Sequence, residues 1–449
     1  MANKNSNQKQ ASKKPKVSVA RQASLKALKQ VLSGQSLSVV QAQVVDVLED
    51  KRDRGLANEV VNGVLRWRWQ LEAVVAQLVS KPLKKKDIDV QLILLMAIYE
   101  LKECRTPDYA IINEAVELVR KTGKKWAASL VNAVLRSFTR EKETLLASIQ
   151  EEPAQYSHPS WMLEKIKNDW PEQWQQILNA NNQRPAFWLR VNQRLSNVSQ
   201  YQTLLSENDI EAAPTSLSVN ALKLSQGVDV RQLPGFDDGV ISVQDAGAQL
   251  AAGLLRAESG NKVLDLCAAP GGKTCHILEL NDALTRVCAV EVDERRMQRV
   301  TENLQRLKLD AELVVADVCD YEQWWNGELF DRILIDAPCS ASGVIRRHPD
   351  IKSLRRETDI DVLVKLQADI LLAAWQMLAV GGELLYVTCS IFKDENQNQI
   401  QNFLNASLDA EEILLEENWG QACLHGRQLF PGEEDADGFY FCRLKKNAK

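Results

Sequence analysis

From Val240 onward the chain repeats one rhythm, in which a short apolar run is followed by a stretch of helical periodicity and then by another run. The runs are Val263–Leu266, Val287–Val292, Leu313–Val315, Arg332–Ile335, Leu384–Val387 and Phe439–Leu444. Helical patterns lie between the first five, for instance over Asp293–Leu307 and Asp361–Leu378. A strand that is apolar on both faces has to be covered on both, so the pattern predicts a doubly wound, largely parallel α/β sheet. Ligands of such sheets sit at the carboxyl ends of the strands, beside the point where strand order reverses. Residues just beyond each run are therefore the candidates for chemistry.

The first run leads into Asp265-Leu-Cys267-Ala268-Ala269-Pro270-Gly271-Gly272-Lys273-Thr274. A glycine-containing turn there lets the backbone approach a cofactor closely. A Walker A loop is excluded, because Gly272-Lys273-Thr274 supplies its second half while Cys267 occupies the position of its first glycine. A GxGxxG dinucleotide fingerprint is absent as well. The remaining member of this class is the adenosylmethionine fold, whose cofactor needs no phosphate cradle. An acid ending the second strand would then hold the ribose hydroxyls, and Glu291 or Asp293 stands there. Asp317, ending the third strand, is placed for the adenine side.

Two cysteines each follow a buried strand immediately. Arg332–Ile335 leads into Asp336-Ala-Pro338-Cys339-Ser340, and Leu384–Val387 leads into Thr388-Cys389-Ser390. Paired thiols at that edge suit methylation at C5 of cytosine, a carbon that is not nucleophilic by itself. A thiolate that adds to C6 converts the ring to an enamine able to attack a sulfonium methyl group. A base must afterwards remove the C5 proton, and a carboxyl donating at N3 would stabilise the adduct; Asp336 is the candidate. The competing reading is that cytosolic cysteines are small buried hydrophobes, which is what we expect of Cys104, Cys275, Cys288, Cys319, Cys423 and Cys442.

The first third of the chain is different in kind. From about Ala20 to Arg140 apolar residues recur at three and four with few Gly or Pro, as in an all-α bundle. One helix is legible in detail: Thr106 as cap, Pro107 and Asp108 in the first turn, a face of Ile112, Ala115, Val116 and Val119, and Gly123 as the stop. Charge follows the same division. Residues 1–145 carry 26 Lys/Arg against 15 Asp/Glu, whereas residues 146–449 carry 29 against 45. Eight basic residues and no acidic one lie between Met1 and Val45, and Lys84–Lys86, Arg120–Lys121 and Lys124–Lys125 add clusters. Such a surface favours a polyphosphate partner through counterion release. Trp67 and Trp69 alternate with Arg66 and Arg68, which suits either base stacking or, as the commoner outcome, core packing. Between the two regions, a tryptophan-rich helix (Trp161, Trp170, Trp174) and strand-like pieces such as Phe187–Val191 suggest a small connecting α+β unit. The expected domains are 1–145, 146–235 and 236–449. The longest apolar run, Leu92–Tyr99, is far short of a membrane span, and the lysine-rich start lacks the apolar segment of a signal peptide. A cytoplasmic protein with reduced thiols is the expectation.

Taken together, the three motifs Cys267–Lys273, Asp336–Ser340 and Thr388–Ser390 resemble the signature set of RNA cytosine-C5 methyltransferases. The resemblance extends to Gly343-Val-Ile-Arg346-Arg347-His348-Pro349-Asp350-Ile351-Lys352 and to Pro431-Gly432 with Asp437-Gly438-Phe439, which look like the bacterial 16S ribosomal RNA methyltransferases of the RsmB (Sun/Fmu) type. In the first third, Tyr109–Leu118 and Val131–Leu135 are similar to the NusB antiterminator, an RNA-binding helical bundle fused to those enzymes. The resemblance implies a Rossmann-like class I catalytic domain that binds S-adenosyl-L-methionine through Cys267, Ala268, Ala269, Pro270, Gly271, Gly272 and Lys273 with Glu291, Asp317 and Asp336. It implies Cys389 as nucleophile and Cys339 as the thiol that helps release the product. DNA cytosine methyltransferases use the cysteine of a Pro-Cys pair instead, here Cys339, so these roles rest on the RNA resemblance.

The implied substrate is 16S RNA at cytosine 967, with no membrane and no metal, and with a monomer as the expectation for a state the sequence leaves open. Arg346, Arg347 and His348 would line the RNA path, or form a solvated turn. Two departures from the family pattern concern local geometry: Glu291 stands where Asp is common, and Ala316-Asp317-Val318 replaces a glycine-rich turn. The alternatives are the same chemistry on transfer RNA or another ribosomal site, and a non-catalytic RNA-binding factor built on the NusB-like bundle.

Overall fold

The computed structural model describes residues 17–448, in two compact units that meet in sequence at Pro159 and Ser160. Five lysines of the basic N-terminal run, Lys4 to Lys16, lie outside the described residues.

The first unit is a helical bundle built on Val19–Leu32, Lys51–Leu78, Ile88–Glu103, Asp108–Lys121 and Ala128–Ala147. Its centre is Ile88–Glu103, buried almost continuously from Leu92 to Glu100. The longest apolar run of the sequence is thus the core of a bundle, and no helix among the described residues is long and apolar enough to cross a membrane. Gly63 shows how closely its neighbour approaches, since a Cβ there would lie 1.9 Å from the Tyr99 ring. Glu100, only 1% exposed, is held by Arg21 through contacts of 3.0 and 2.5 Å. The helix Asp108–Lys121 begins one residue later than its sequence suggests: Pro107 is the cap, with no side-chain hydrogen bond, so Thr106 does not serve. Trp67 packs against this core under the Lys102 ammonium, 4.0 Å from the ring centre, which favours packing over base stacking.

The second unit opens with two helices, Ser160–Asp169 and Trp174–Asn181, rather than one tryptophan-rich helix, because Trp170-Pro171 interrupts the periodicity. A four-stranded antiparallel sheet follows in the order Ala212–Pro214, Ala221–Leu224, Phe187–Val191, Ile241–Val243. Strand alternation sends Leu189 and Val191 into a core with Tyr201 and Leu205, while Trp188 and Arg190 point the other way.

The larger sheet is built on β1 (Lys262–Leu266), β2 (Arg286–Glu291), β3 (Glu312–Val315), β4 (Phe330–Asp336), β5 (Leu378–Thr388) and β6 (Phe439–Lys446). Their order is β3-β2-β1-β4-β5-β6, parallel except for β6. The chain runs outward from β1 in one direction and then from β4 in the other, so the order reverses between these neighbours. Helices α1 (Gly272–Leu280), α2 (Glu294–Leu307) and α3 (Asp359–Met377) cover the faces. Only the β3-to-β4 crossover departs from the expected alternation. It holds a 3₁₀ stretch, Val318–Gln323, that breaks at Asp320 and is too short for a covering helix.

Candidate active site

Because β4 and β5 are parallel neighbours, paired at Asp336 and Val387, the two cysteine loops leave the same edge side by side. The result is a Cys339 sulfur 3.4 Å from the Cys389 sulfur. Backbone contacts lock the pair. The Gly343 amide donates to the Cys389 carbonyl at 2.9 Å, and the Gly438 amide donates to the Gly343 carbonyl at 2.8 Å. A Cβ on Gly343 would lie 2.2 Å from the Gly438 carbonyl oxygen, so the two chain segments meet only where side chains are missing. The hydrogen bond to Cys389, and then burial, push the Cys339 thiol well above its ordinary value. The two sulfurs lie within hydrogen-bond distance of each other, and either can donate.

The group that holds these loops together is not among the residues singled out from the sequence. Glu395 is fully buried, and its Oε2 accepts from the hydroxyls of Ser340 and Ser390, each at 2.5 Å. Its Oε1 accepts from the Ser340 amide at 2.8 Å and from Gln367 Nε2 at 3.1 Å. One carboxylate thereby ties the serine following Cys339 to the serine following Cys389. The signal was present only as an acid six residues past Cys389, which nothing local distinguishes from a surface residue. Trp170 of the connecting region also reaches this edge, with its indole N–H donating to the Ile391 carbonyl at 2.7 Å.

The loop after β1 turns sharply: Cys267 and Gly271 have φ of 61° and 92°. Its residues divide between two clefts. One, of about 370 Å³, is walled by Cys267, Ala269, Glu291, Asp317, Asp336 and both Cys339 and Cys389. The other, of about 390 Å³, holds Ala268, Pro270, Gly272, Lys273, Asp265 and again Asp336, while Gly271 walls neither. Glu291, 1% exposed, accepts from the Ala269 amide and from Arg296. Asp293 is occupied as the cap of α2, accepting from the amides of Arg295 and Arg296, and is not in the cleft wall. The two acids left open by sequence are thus separated by their surroundings. Asp317 caps the 3₁₀ stretch through the Cys319 amide and remains exposed at the cleft.

Lys273 Nζ sits 2.6 Å from Asp336 Oδ2. Burial would lower its pKa, but its acidic neighbours, Asp336 foremost, together raise it. Asp265, beneath this pair, is buried enough to push its carboxyl up to about 7. Its Oδ2 accepts from Thr274 at 2.5 Å, whereas Oδ1 has no partner among the described residues.

Arg346 lies neither in an open RNA path nor in a solvated turn, whereas Arg347 is half-buried and walls the Lys273 cleft beside His348. Arg346 is 1% exposed and binds Asp437 at 2.8 Å, and Arg347 bridges Asp437 and Asp245, the latter at 2.6 Å. These ions fasten the loop beyond Cys339 to the segment before β6. His348 alone is exposed, on the wall of the Lys273 cleft. Elsewhere Cys275, Cys288 and Cys442 are buried, and Cys104, Cys319 and Cys423 half-buried.

Comparison with known proteins gives the family. Residues 252–445 match the model for 16S rRNA methyltransferase RsmB/F, residues 18–140 the NusB family, and residues 158–231 the ferredoxin-like domain of RsmF/B-like methyltransferases. A Pseudomonas putida protein named ribosomal RNA small subunit methyltransferase B is 46% identical over 431 residues, covering 95% of this chain and 98% of its own. The Vibrio cholerae protein of that name is 46% identical over 396 residues, covering 88% and 90%. The solved structure of PH0851 shares the fold, with a TM-score of 0.80 at 23% identity over 96% of this chain and 99% of its own. The chain belongs to the RsmB/F family of 16S ribosomal RNA methyltransferases, carrying a NusB-family domain ahead of its catalytic domain.

Proposed function

We propose that this protein methylates C5 of a cytosine in 16S RNA, at position 967, through a covalent bond between Cys389 and C6. One observation carries the reading: two thiols 3.4 Å apart open into the same cleft as Asp336, which is paired with Lys273. S-adenosyl-L-methionine is the methyl donor, and when bound it supplies an electrophilic methyl group. The residues of the Glu291 cleft fit it, with a buried carboxylate for the ribose hydroxyls, apolar walls at Val290, Val318 and Ile370 for the adenine, and Asp317 at the rim.

In this reading the Cys389 thiolate adds to C6, and Asp336 with Lys273 stabilises the adduct at N3. C5 then takes the methyl group, loses its proton to a base, and the C6–S bond breaks to regenerate Cys389. Cys339, which retains its proton beside the departing sulfur, assists that release. The target base must leave its stack to reach these groups, which favours a cytosine already in a loop. Residues 1–145 serve as the RNA-binding domain, 146–235 as the connecting unit and 236–449 as the catalytic domain.

The test is to incubate the protein with adenosylmethionine and a mixture of unmodified 16S RNA and transfer RNA, then map 5-methylcytidine by bisulfite sequencing. One new site at cytosine 967 supports the reading. Methylation confined to transfer RNA keeps the chemistry and removes the substrate. Function that survives Cys389→Ser would leave a non-catalytic RNA-binding role.

A further inference from the structure

A cavity of about 460 Å³ lies beside the catalytic clefts, walled by Arg190, Arg231, Asn303 and Arg306, with Asp229 the one acid among its lining residues. Such a concentration of arginine is unexpected in residues 146–449, where Asp and Glu outnumber Lys and Arg by 45 to 29. The arginines are not equivalent. Arg190 is consumed by the structure, bound through two nitrogens to Glu279 and through a third to Gln244 and the Gly272 carbonyl. Arg306 meets only neutral acceptors: the carbonyls of Phe236 and Ile241 at 2.9 Å and the Ser242 hydroxyl at 3.0 Å, with the Phe236 ring 4.3 Å below. Among the described residues no carboxylate forms an ion pair with it, and Glu279 and Asp237 act on its charge only from beyond ion-pair distance. Arg231 is exposed at the rim and likewise has no ion pair among the described residues.

The cavity adjoins the chemistry. Val243, Pro270 and Gly272 wall both it and the Lys273 cleft, and Asp336 is shared by that cleft and the one holding Cys339 and Cys389. Arg296, Arg299, Asn303 and Arg306 recur at three, four and three along α2, which places them on one stripe about 15 Å long. Arg296 and Asn303 donate to the Ala269 and Pro270 carbonyls, so the stripe runs along the loop between the clefts.

We propose that this cavity, with the stripe of α2 leading to it, is a subsite for the phosphodiester backbone of the RNA strand flanking the target base. A row of guanidiniums matches a row of phosphates and reads no sequence, so it positions the strand while the catalytic cleft selects the base. The assignment rests on the RNA reading above. A free nucleotide presents the same phosphate chemistry, and the experiment separates the two.

The test uses the full chain and a fluorescein-labelled 16S RNA hairpin containing the target cytosine, with affinity read by anisotropy over a potassium chloride series. Arg231→Gln and Arg299→Gln are exposed changes, Arg306→Lys is conservative, and Arg194→Gln makes an equal charge change away from the stripe. Each stripe or rim variant should bind RNA several-fold more weakly, and the two Gln variants should lower the slope of log affinity against log salt by about 1. Thermal stability and adenosylmethionine affinity should hold, and Arg194→Gln should leave RNA affinity in place. A slope unchanged in both Gln variants overturns the subsite. So does pyrophosphate or AMP that binds the wild type but not Arg306→Lys while RNA affinity is unmoved. The outcome is independent of the reaction: a falling slope with no methyl transfer keeps the subsite and sinks the chemistry, and methyl transfer with an unmoved slope does the reverse.

Discussion

The sulfur of Cys339 lies 3.4 Å from the sulfur of Cys389, at the ends of two adjacent parallel strands. Two thiols this close cannot be independent acids. The hydrogen bond to Cys389, and then burial, hold the Cys339 thiol well above its ordinary value, and the reaction proposed above gives Cys389 the attack and Cys339 the assistance to departure.

The two cysteines should therefore fail in different ways. Cys389→Ser is expected to lower turnover by at least about 10³-fold, the scale of losing a nucleophile. Cys339→Ser should instead accumulate a protein–RNA adduct visible on a denaturing gel. RNA carrying 5-fluorocytosine should trap the wild type in the same way, since the proton to be removed from C5 is absent. Adduct persisting in Cys389→Ser and vanishing in Cys339→Ser would exchange the two roles.

Glu395 should matter to both stability and rate. Replacement by Ala leaves the Ser340 and Ser390 hydroxyls and the Ser340 amide without their acceptor in a buried place. The expected cost is about 3 kcal/mol or more, measured by denaturant unfolding. Turnover of the protein that remains folded should fall while adenosylmethionine affinity holds, because the two cysteine loops lose their common tie. Equal turnover per folded molecule would show that the tie does not position the thiols.

Arg346→Ala tests whether that guanidinium serves the fold or the RNA. Its removal strips one buried partner from Asp437, and about 3–5 kcal/mol of stability should go with it. A folded variant with normal stability and weakened RNA binding would restore a direct contact with RNA.

Asp265 sets a pH dependence whose sign follows from its burial. The folded protein holds this proton up to about pH 7, whereas the usual carboxyl releases it near 3.8. Raising pH between those values therefore removes stability, since the folded state must ionise a buried carboxyl or keep a proton that the unfolded chain has released. Asp265→Asn does not ionise there, so its melting temperature relative to the wild type should rise from pH 4 to pH 7. A difference independent of pH would refute the assignment.

The strands were legible because a strand buried on both faces is apolar along its length. Phe187–Val191 and the core of β4 lie where the apolar runs place them. The cysteines and the glycine loop were legible because their chemistry is contiguous in the chain. The 3₁₀ crossover before β4 was not, since Trp324 and Trp325 give it apolar character without helical geometry. Thr106 failed as a cap for a similarly local reason: the helix starts after Pro107, one residue beyond its reach.

By itself, then, the sequence determined the alternation that makes the sheet and the order of motifs along its edge, because periodicity and local spacing are properties of neighbouring residues. Tertiary structure alone decided which acids face the cleft. Glu291 remains in its wall while Asp293 caps a helix, although only two residues separate them. It also converted Arg346 from a surface charge into a buried tie, and brought Arg190, Arg231 and Arg306 to one cavity from separate elements. Burial and charge compensation depend on what packs across from a residue, and that partner is set by the fold rather than by its neighbours in the chain.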